Sequence, residues 1–328
     1  MMLPEMQLPL LAENPKAKVF AITQADELFL ALPVQSTGSH DRSTTSDFTC
    51  SSLPLVAQGM SQETVLALVN QLQRPILLRD MALDCQFYQQ LKLAGGQIQV
   101  MTQWQRAALN VKGCFEQWLI DNFDQKRRKE FKRLRNRLAE QGELKLEMLN
   151  QSSDFVTFVD DYVELEARGW KGKRGTAIKS KPARSSAFYK ICERLQRSGR
   201  LRFWVLCFNG KPIASLFGIV SGTQAQIIKI AYDEAFAKYS PGVLLVLDAT
   251  QAFFAEPGLE TVDSCAIPNH PMINRIWRDR IDMADVLIAP AHYPTWKFQN
   301  VLIGLRLDAK LRAMAKAAFL SLTGRKKS

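Results

Sequence analysis

Asn209-Gly210 stands between two apolar runs, RLRFWVLCF (residues 200–208) and KPIASLFGIV (residues 211–220), and no other part of the sequence constrains the fold as much. Both turn residues tolerate the positive φ that a two-residue hairpin demands, so the runs predict two antiparallel strands. Gly222 then turns the chain into a third apolar run over 225–232. Beyond it the elements alternate. The spacing predicts an apolar helix over 241–254, a short strand over 261–264, a helix over 271–280 and a strand over 284–288. The fold class is α/β, an α+β mixture with mixed sheets.

The upstream residues alternate in the same way. Residues 17–32 read as strand, turn and strand or short helix, and 36–52 as a mobile polar loop rich in Ser and Thr. A helix starts at Ser61, with Val65, Leu68, Val69 and Leu72 on one face. Residues 75–78 and 97–104 read as strands, with a helix over 85–96 between them. Residues 113–141 form two helices broken near 122–124. The second carries Phe131, Leu134 and Leu138 as one apolar stripe and is closed by Gly142. A strand over 143–149, helices over 154–168 and 183–197, and a basic amphipathic helix over 305–322 ahead of GRKKS complete the reading.

At 328 residues the chain has room for two domains, roughly 100–200 residues each. Its 47% apolar content supports a large core and excludes a disordered, collagenous or wholly coiled-coil protein. The stretch 243–254 is a dozen residues with Asp248 inside it, short of the roughly 20 that a membrane span needs. The first residues carry Glu5 and no basic region ahead of the leucines, so they do not read as a signal peptide. The expected location is cytoplasmic, or peripheral at the inner face of the membrane. No two of the six cysteines (Cys50, Cys85, Cys114, Cys192, Cys207, Cys265) are closer than fifteen positions, and the three histidines are scattered. No metal site and no disulfide framework are expected, only reduced thiols.

The net charge of +11 is concentrated. Residues 126–137 (KRRKEFKRLRNR), from Lys126 to Arg137, hold eight basic residues and one acidic, hence +7. Such a helix is either a solvated face or a site for an anionic partner: tRNA, an anionic polymer or a membrane surface. In the C-terminal helix and the tail after it, Lys310, Arg312, Lys316 and Arg325 to Lys327 add to a membrane-surface patch, unless Leu311, Met314 and Phe319 dock the helix on the protein.

The stretch AQIIKIAYDEAFAKYSPGVLLVLDATQAFF, residues 225–254, carries the chemistry. A strand leads through Asp233 and Glu234 to Ser240-Pro241-Gly242 and a helix. Ser240 suits the N-cap, Pro241 the first helical turn, and Gly242 close approach to the backbone. The helix N-terminus then suits an anion such as a pyrophosphate, or is simply a good helix start. The segment Trp170–Ile178 (WKGKRGTAI) lacks the spacing of a phosphate-binding loop and reads as a flexible loop or a lid. Asp263, Cys265 and His270 together invite a Cys-His-Asp reading. Against it, Cys265 lies in an apolar run that suits a buried thiol, and His270 precedes Pro271 at a helix start.

The pattern WKGKRGTAI … FYKICERLQRSGRLRFWVLCFNGKPIASLFGIV … KIAYDEAFAKYSPGVLL … VDSCAIPNHPMINRIW, preceded by RRKEFKRLRNRLAEQG, resembles the GNAT-fold acetyltransferases of the CelD/BcsL type, which are associated with cellulose and exopolysaccharide synthesis. These are relatives of the FemAB/FemX peptidyltransferases. The resemblance covers about residues 115–288 and implies tandem GNAT-like domains, the N-terminal one degenerate. The implied division is a degenerate domain over 1–112, a basic helical connector over 113–142, an acyltransferase domain over 143–300 and a basic C-terminal helix over 301–328.

The resemblance further implies a strand that splays from its neighbour and holds pantetheine, here through Ile230, Ala231 and Tyr232. A turn for the pyrophosphate follows, through Ser240, Gly242 and Val243. Where the GNAT turn is usually [Q/R]xxGxG/A, this chain has Lys238-Tyr-Ser-Pro-Gly-Val, with fewer free N–H groups. Acid–base work falls to Asp263, Asp233, Glu234 and Tyr239, with Tyr232 a second choice of acid towards the thiolate. Glu166, Trp170 and His270 would contact the acceptor. The implied function is acyl-CoA-dependent N-acylation of an amine on a sugar or a cell-envelope or exopolysaccharide precursor, with acetyl-CoA or another acyl-CoA as co-substrate and no metal. The alternatives are a FemX-like aminoacyl-tRNA-dependent transferase and a non-catalytic binding protein of the same fold.

Overall fold

The computed structural model describes residues 3–12, 14, 16–24, 27–51, 53–56, 61–150 and 154–322. GRKKS therefore lies outside the described residues, as does the side chain of Phe319. The chain forms two compact units. The first comprises residues 1–15, 45–51 and 104–282, and the second residues 16–44, 52–103 and 283–328.

In the first unit the strands Leu144–Met148, Leu201–Phe208, Lys211–Ser221 and Gln224–Tyr232 pair antiparallel in chain order. Asn209 and Gly210 both take positive φ, 48° and 71°, in the expected hairpin turn. Thr261–Asp263 joins Gln224–Tyr232 in parallel, and residues 108–110 of the strand Gln97–Asn110 pair antiparallel with Thr261–Asp263.

Both faces of this sheet are covered, because side chains alternate along each strand. Trp204, Leu206 and Leu216 enter one core with Trp118, Phe131 and Leu138 of the helices Phe115–Asn122 and Gln125–Ala139 and Leu245 of Pro241–Ala255. Phe203, Phe217 and Ile219 enter the other core with Tyr162 of Phe155–Arg168 and Phe188 of Pro182–Arg197.

The second unit holds the hairpin Ala17–Gln24 and Glu27–Ser36, the short strands Asp41–Ser43 and Leu55–Val56, and Ile76–Ala82. Ile76–Ala82 also pairs with residues 283–288 of Asp279–Ala289. Gln62–Gln71, whose N-cap Ser61 accepts from the Thr64 N–H as expected, and Gln86–Leu93 cover its core.

Several elements differ from the sequence reading. The units are not consecutive in sequence. Leu3, Met6, Phe48 and Cys50 bury themselves in the first unit, and so does the helix Gln125–Ala139, expected as a connector. Residues 45–51, part of the expected mobile loop, are therefore pinned by Phe48 at 2% exposure. The helix expected over 271–280 is a single turn, Ile273–Arg275, after which the chain enters Asp279–Ala289. One turn already buries Ile273, Ile276 and Trp277, and the Trp277 indole donates to Thr250 Oγ1 at 3.0 Å. The C-terminal helix starts earlier than expected, at Thr295, because Phe298, Val301 and Leu302 extend its buried face.

Candidate functional site

The site grows from a parting of strands. Gln224–Tyr232 pairs with Lys211–Ser221 from end to end on one edge, with a bulge at Ile228 between the Ile227 and Lys229 pairings. On its other edge only residues 224–226 find partners, in Thr261–Asp263. The reason lies just beyond Asp263. The guanidinium of Arg106, 4% exposed, donates to the Asp263 carboxylate at 3.2 Å and to the Cys50 carbonyl at 2.7 Å. Asp263 in turn accepts from the Cys265 N–H at 2.8 Å. Cys265 takes a φ of +50° and forms a disulfide with Cys50, 215 positions away. The chain is thereby drawn off its neighbour.

The bond corrects the expectation of six reduced thiols and removes Cys265 from any nucleophilic role. Sequence spacing does not limit a disulfide. Cα proximity does, here 5.2 Å.

The gap opens a cavity of about 550 Å³, in the range of small-molecule sites. One wall is the free edge from Ile227 to Tyr232. Others are residues 264–267, the turn from His270 to Ile273, and Leu165, Glu166 and residues 169–171. Of the residues anticipated from sequence, Ile230, Ala231, Tyr232, Glu234, Glu166, Trp170 and His270 meet here. Gly242 lies behind the wall, where a Cβ would sit 3.5 Å from Tyr232 and 3.6 Å from Met272.

Asp263, Asp233, Tyr239, Ser240 and Val243 do not line the cavity. Asp263 is tied to Arg106, and Asp233 caps the turn Glu234–Tyr239 by accepting from the Ala235 N–H. Tyr239 is buried, its hydroxyl accepting from Gln141 Nε2. Ser240 is the N-cap residue of Pro241–Ala255 at φ +52°, but its side chain makes no capping bond. Its carbonyl accepts from the Val243 and Leu244 N–H groups at 2.9 and 3.2 Å. Pro241 has no N–H, and the Gly242 amide finds no backbone acceptor among the described residues.

The electrostatics centre on three groups. Glu166, 3% exposed, accepts from Lys171 Nζ at 2.7 Å and from the Ile178 N–H at 2.8 Å. Burial and the Glu166 carboxylate push the nearby Tyr162 hydroxyl well up. Lys229 is the one charge in the apolar run IIKIA, on the free strand edge, with its Nζ 5.4 Å from the Phe48 ring centre. Burial, aided by the charge of Lys171, pushes its amine down to about 8.

His270 is held below its usual range by burial. Its Nδ1 accepts from the Met272 and Ile273 N–H groups at 3.3 and 3.4 Å, so the neutral ring carries its proton on Nε2. The glycine- and lysine-rich segment is not a free loop. Glu166 holds its far end at Ile178. Glu234, pulled below the carboxylate range by Lys173, accepts from the Trp170 N–H at 2.9 Å.

Sequence reasoning passes over Lys229 and Lys171. A lone lysine inside a strand otherwise made of Ile and Ala is the available signal.

Residues 125–270 match a family model described as an acetyltransferase (GNAT) domain. No curated protein sequence matches the chain. Among solved structures, the chain is similar to the C-terminal domain (DUF2156) of a protein described as a lysylphosphatidylglycerol synthetase from Agrobacterium fabrum, with a TM-score of 0.56 at 12% identity, covering 92% of this chain and 90% of that one. It is also similar to FemX (TM-score 0.53, 10% identity, 91% and 98% covered) and to L-PGS from Bacillus licheniformis (TM-score 0.51, 10% identity, 89% and 90% covered). At such identities these likenesses establish the fold. The fold is mixed α/β, residues 125–270 match the acetyltransferase (GNAT) domain model, and most of the cavity's lining falls in that range, with Pro271, Met272 and Ile273 just beyond it.

Among the described residues no group of His, Cys, Asp and Glu is arranged to hold a metal, and no helix is long and apolar enough to cross a membrane.

Proposed function

We propose that the chain is an acyltransferase that moves an acyl group from the thioester of an acyl-CoA to an amine on a sugar or on a cell-envelope or exopolysaccharide precursor. The observation that carries this reading is the free edge from Ile227 to Tyr232, itself inside the GNAT-matched residues, over a cavity of about 550 Å³. A free strand edge bonds an extended amide chain such as pantetheine main chain to main chain. The Gly242 amide, at the N-terminus of a fifteen-residue helix, complements a phosphate oxygen.

Lys229 is the base in this reading. Its neutral amine takes the proton that the acceptor nitrogen sheds as its lone pair closes on the thioester carbonyl. The C–S bond then breaks, and the Tyr232 hydroxyl protonates the departing thiolate and recovers its proton from solvent. His270 offers Nε2–H as a hydrogen-bond donor to the acyl oxygen. Glu166, satisfied by Lys171 and Ile178, shapes the acceptor end with Trp170.

Calorimetric titration with acetyl-CoA tests the reading. Binding is expected in the parent and roughly tenfold weaker or worse in Gly242→Val, since a tenfold change is about 1.4 kcal/mol. Gly242→Ala should keep the fold, because its Cβ meets only ordinary contacts. A parent that does not bind acetyl-CoA defeats the proposal.

A second reading, with aminoacyl-tRNA as donor, is favoured by one feature. On Gln125–Ala139, Lys126, Lys129, Lys132 and Arg137 are exposed and without an ion partner among the described residues, whereas Arg133 pairs with Glu130 and Arg135 with Asp248. Replacing Lys126, Lys129 and Lys132 with Gln should flatten the salt dependence of tRNA binding by about 0.7–0.9 in log–log slope for each phosphate left without a neutralising cation. An unchanged slope makes the helix a solvated face.

A further inference from the structure

Among the described residues, the helix Thr295–Leu322 has two apolar faces, one buried and one exposed. Phe298, Val301 and Leu302 are buried, with Leu305 beside them, against Leu287 and Ala289. A second set is exposed: Trp296 at 64%, Ile303 at 53%, Leu307 at 55%, Leu311 at 64% and Met314 at 68%. Their spacing of seven, four, four and three residues keeps them within an arc of about 80° at 100° per residue, a single stripe along the helix.

Charge flanks that stripe. The helix holds Lys297, Arg306, Lys310, Arg312 and Lys316 against one acid, Asp308, which pairs with Arg312. By the same 100° step, Arg306 and Lys310 border the stripe on one side and Lys297 on the other. None of these three has an ion partner among the described residues; Lys297 Nζ lies 5.4 Å from the Trp296 ring centre.

Two occupants fit an exposed apolar stripe, a second copy of the chain or a lipid surface. Pairing two copies along it would bring two rows of Arg306 and Lys310 together with only Asp308 to offset them. A surface of anionic headgroups meets the same row with opposite charge. Long basic side chains beside an apolar stripe let their stems follow the apolar side chains down while their heads stay at the phosphates. The aromatic at the stripe's start is of the kind that settles at the headgroup level.

We propose that Thr295–Leu322 is a membrane-surface helix. It lies in the plane of an anionic bilayer with Trp296, Ile303, Leu307, Leu311 and Met314 sunk among the upper acyl segments and Arg306 and Lys310 on the phosphates. The inference concerns the second unit and stands apart from the acyl-transfer reading of the cavity.

Co-sedimentation of the full chain with unilamellar vesicles tests it. Vesicles containing phosphatidylglycerol should pull the protein down, and vesicles of phosphatidylcholine alone should do so at least about tenfold less well, each basic residue near the surface being worth about 1 kcal/mol. The pair Leu307→Gln and Leu311→Gln, both fully outside the core, should weaken binding about tenfold or more while leaving the circular dichroism spectrum and melting temperature unchanged. Trp296 emission should shift to the blue with phosphatidylglycerol vesicles, read as the difference from a Trp296→Phe variant. A parent that stays in the supernatant with anionic vesicles overturns the proposal, as does a Leu307/Leu311 variant that binds like the parent. A dimer in light scattering that the same variant abolishes also overturns it, because the stripe then belongs to a second copy.

Discussion

Gln224–Tyr232 and Thr261–Asp263 begin side by side and end differently. The first continues six residues past their last pairing, held on one edge and open on the other. The second stops at once, its end tied to Arg106 and followed by the Cys50–Cys265 bond. Unpaired backbone groups inside a protein are costly unless water or a ligand meets them, so adjacent strands normally zip together. A lasting gap needs one strand to be anchored elsewhere. The anchoring chemistry sits on the strand that leaves, and Lys229 and Tyr232, to which the proposed transfer gives the proton steps, line the cavity on the strand that stays open. Asp263, whose apolar neighbours suggest a catalytic base, is on the anchoring side.

The hardest way to break this contrast is Arg106→Leu. It leaves the Asp263 carboxylate and the Cys50 carbonyl without their shared donor, and loss of one partner of a buried pair costs about 3–5 kcal/mol. Urea unfolding should register that loss. Stability within about 1 kcal/mol of the parent would mean that the arm is held by other contacts.

Lys229→Met attacks the open strand instead. Turnover should fall by about 10²–10⁴ once an acceptor is in hand. A second readout needs no acceptor. The folded amine titrates near 8 against 10.5 when free. Below pH 8 both states hold the proton, and burying the charge is fully unfavourable. Between about 8 and 10.5 the folded state releases a proton that the unfolded state keeps, so parent stability should rise across that window. Melting curves at pH 7, 9 and 10 should show the rise in the parent and none in the Met variant. Parallel curves for the two proteins would take the burial penalty away from Lys229.

The gentlest test is Asp263→Asn, which keeps an acceptor for the Cys265 N–H and loses the charge opposite Arg106. It should destabilise less than Arg106→Leu and change kcat at saturating substrate by no more than about threefold, well short of the 10²-fold associated with a lost acid or base. A hundredfold fall in kcat at unchanged stability would move Asp263 from anchor to catalyst.

The elements governed by local chemistry are legible in the sequence. Asn209-Gly210 permits one kind of turn, Ser61 caps a helix, and Phe131 and Leu138 mark the buried side of a basic one. The turn Ile273–Arg275 reads as a longer helix in the sequence because apolar periodicity over ten residues cannot tell a helix from one turn leading into a strand. The site is half legible. Residues consecutive with the splayed strand, such as Ile230 and Tyr232, can be placed, and so can Glu166 and Trp170 one helical turn apart. The roles of the carboxylates cannot be read, because a carboxylate beside a buried guanidinium and one facing a cavity look the same in sequence. The partner of Asp263 lies 157 positions away.

By itself, the sequence determined the alternation of strands and helices, the hairpin, the strand–turn–helix around Gly242 and the concentration of positive charge on one helix. All of these follow from backbone preferences and side-chain periodicity within a few residues. Only the tertiary structure decided that residues 45–51 join the first unit, that Cys50 reaches Cys265, that Lys229 rather than Asp263 faces the cavity, and that Trp296, Ile303, Leu307, Leu311 and Met314 of the C-terminal helix are left exposed. Each of those depends on which distant segments share a volume, and burial, ion pairing and disulfide formation act on distance in space, which separation along the chain does not encode.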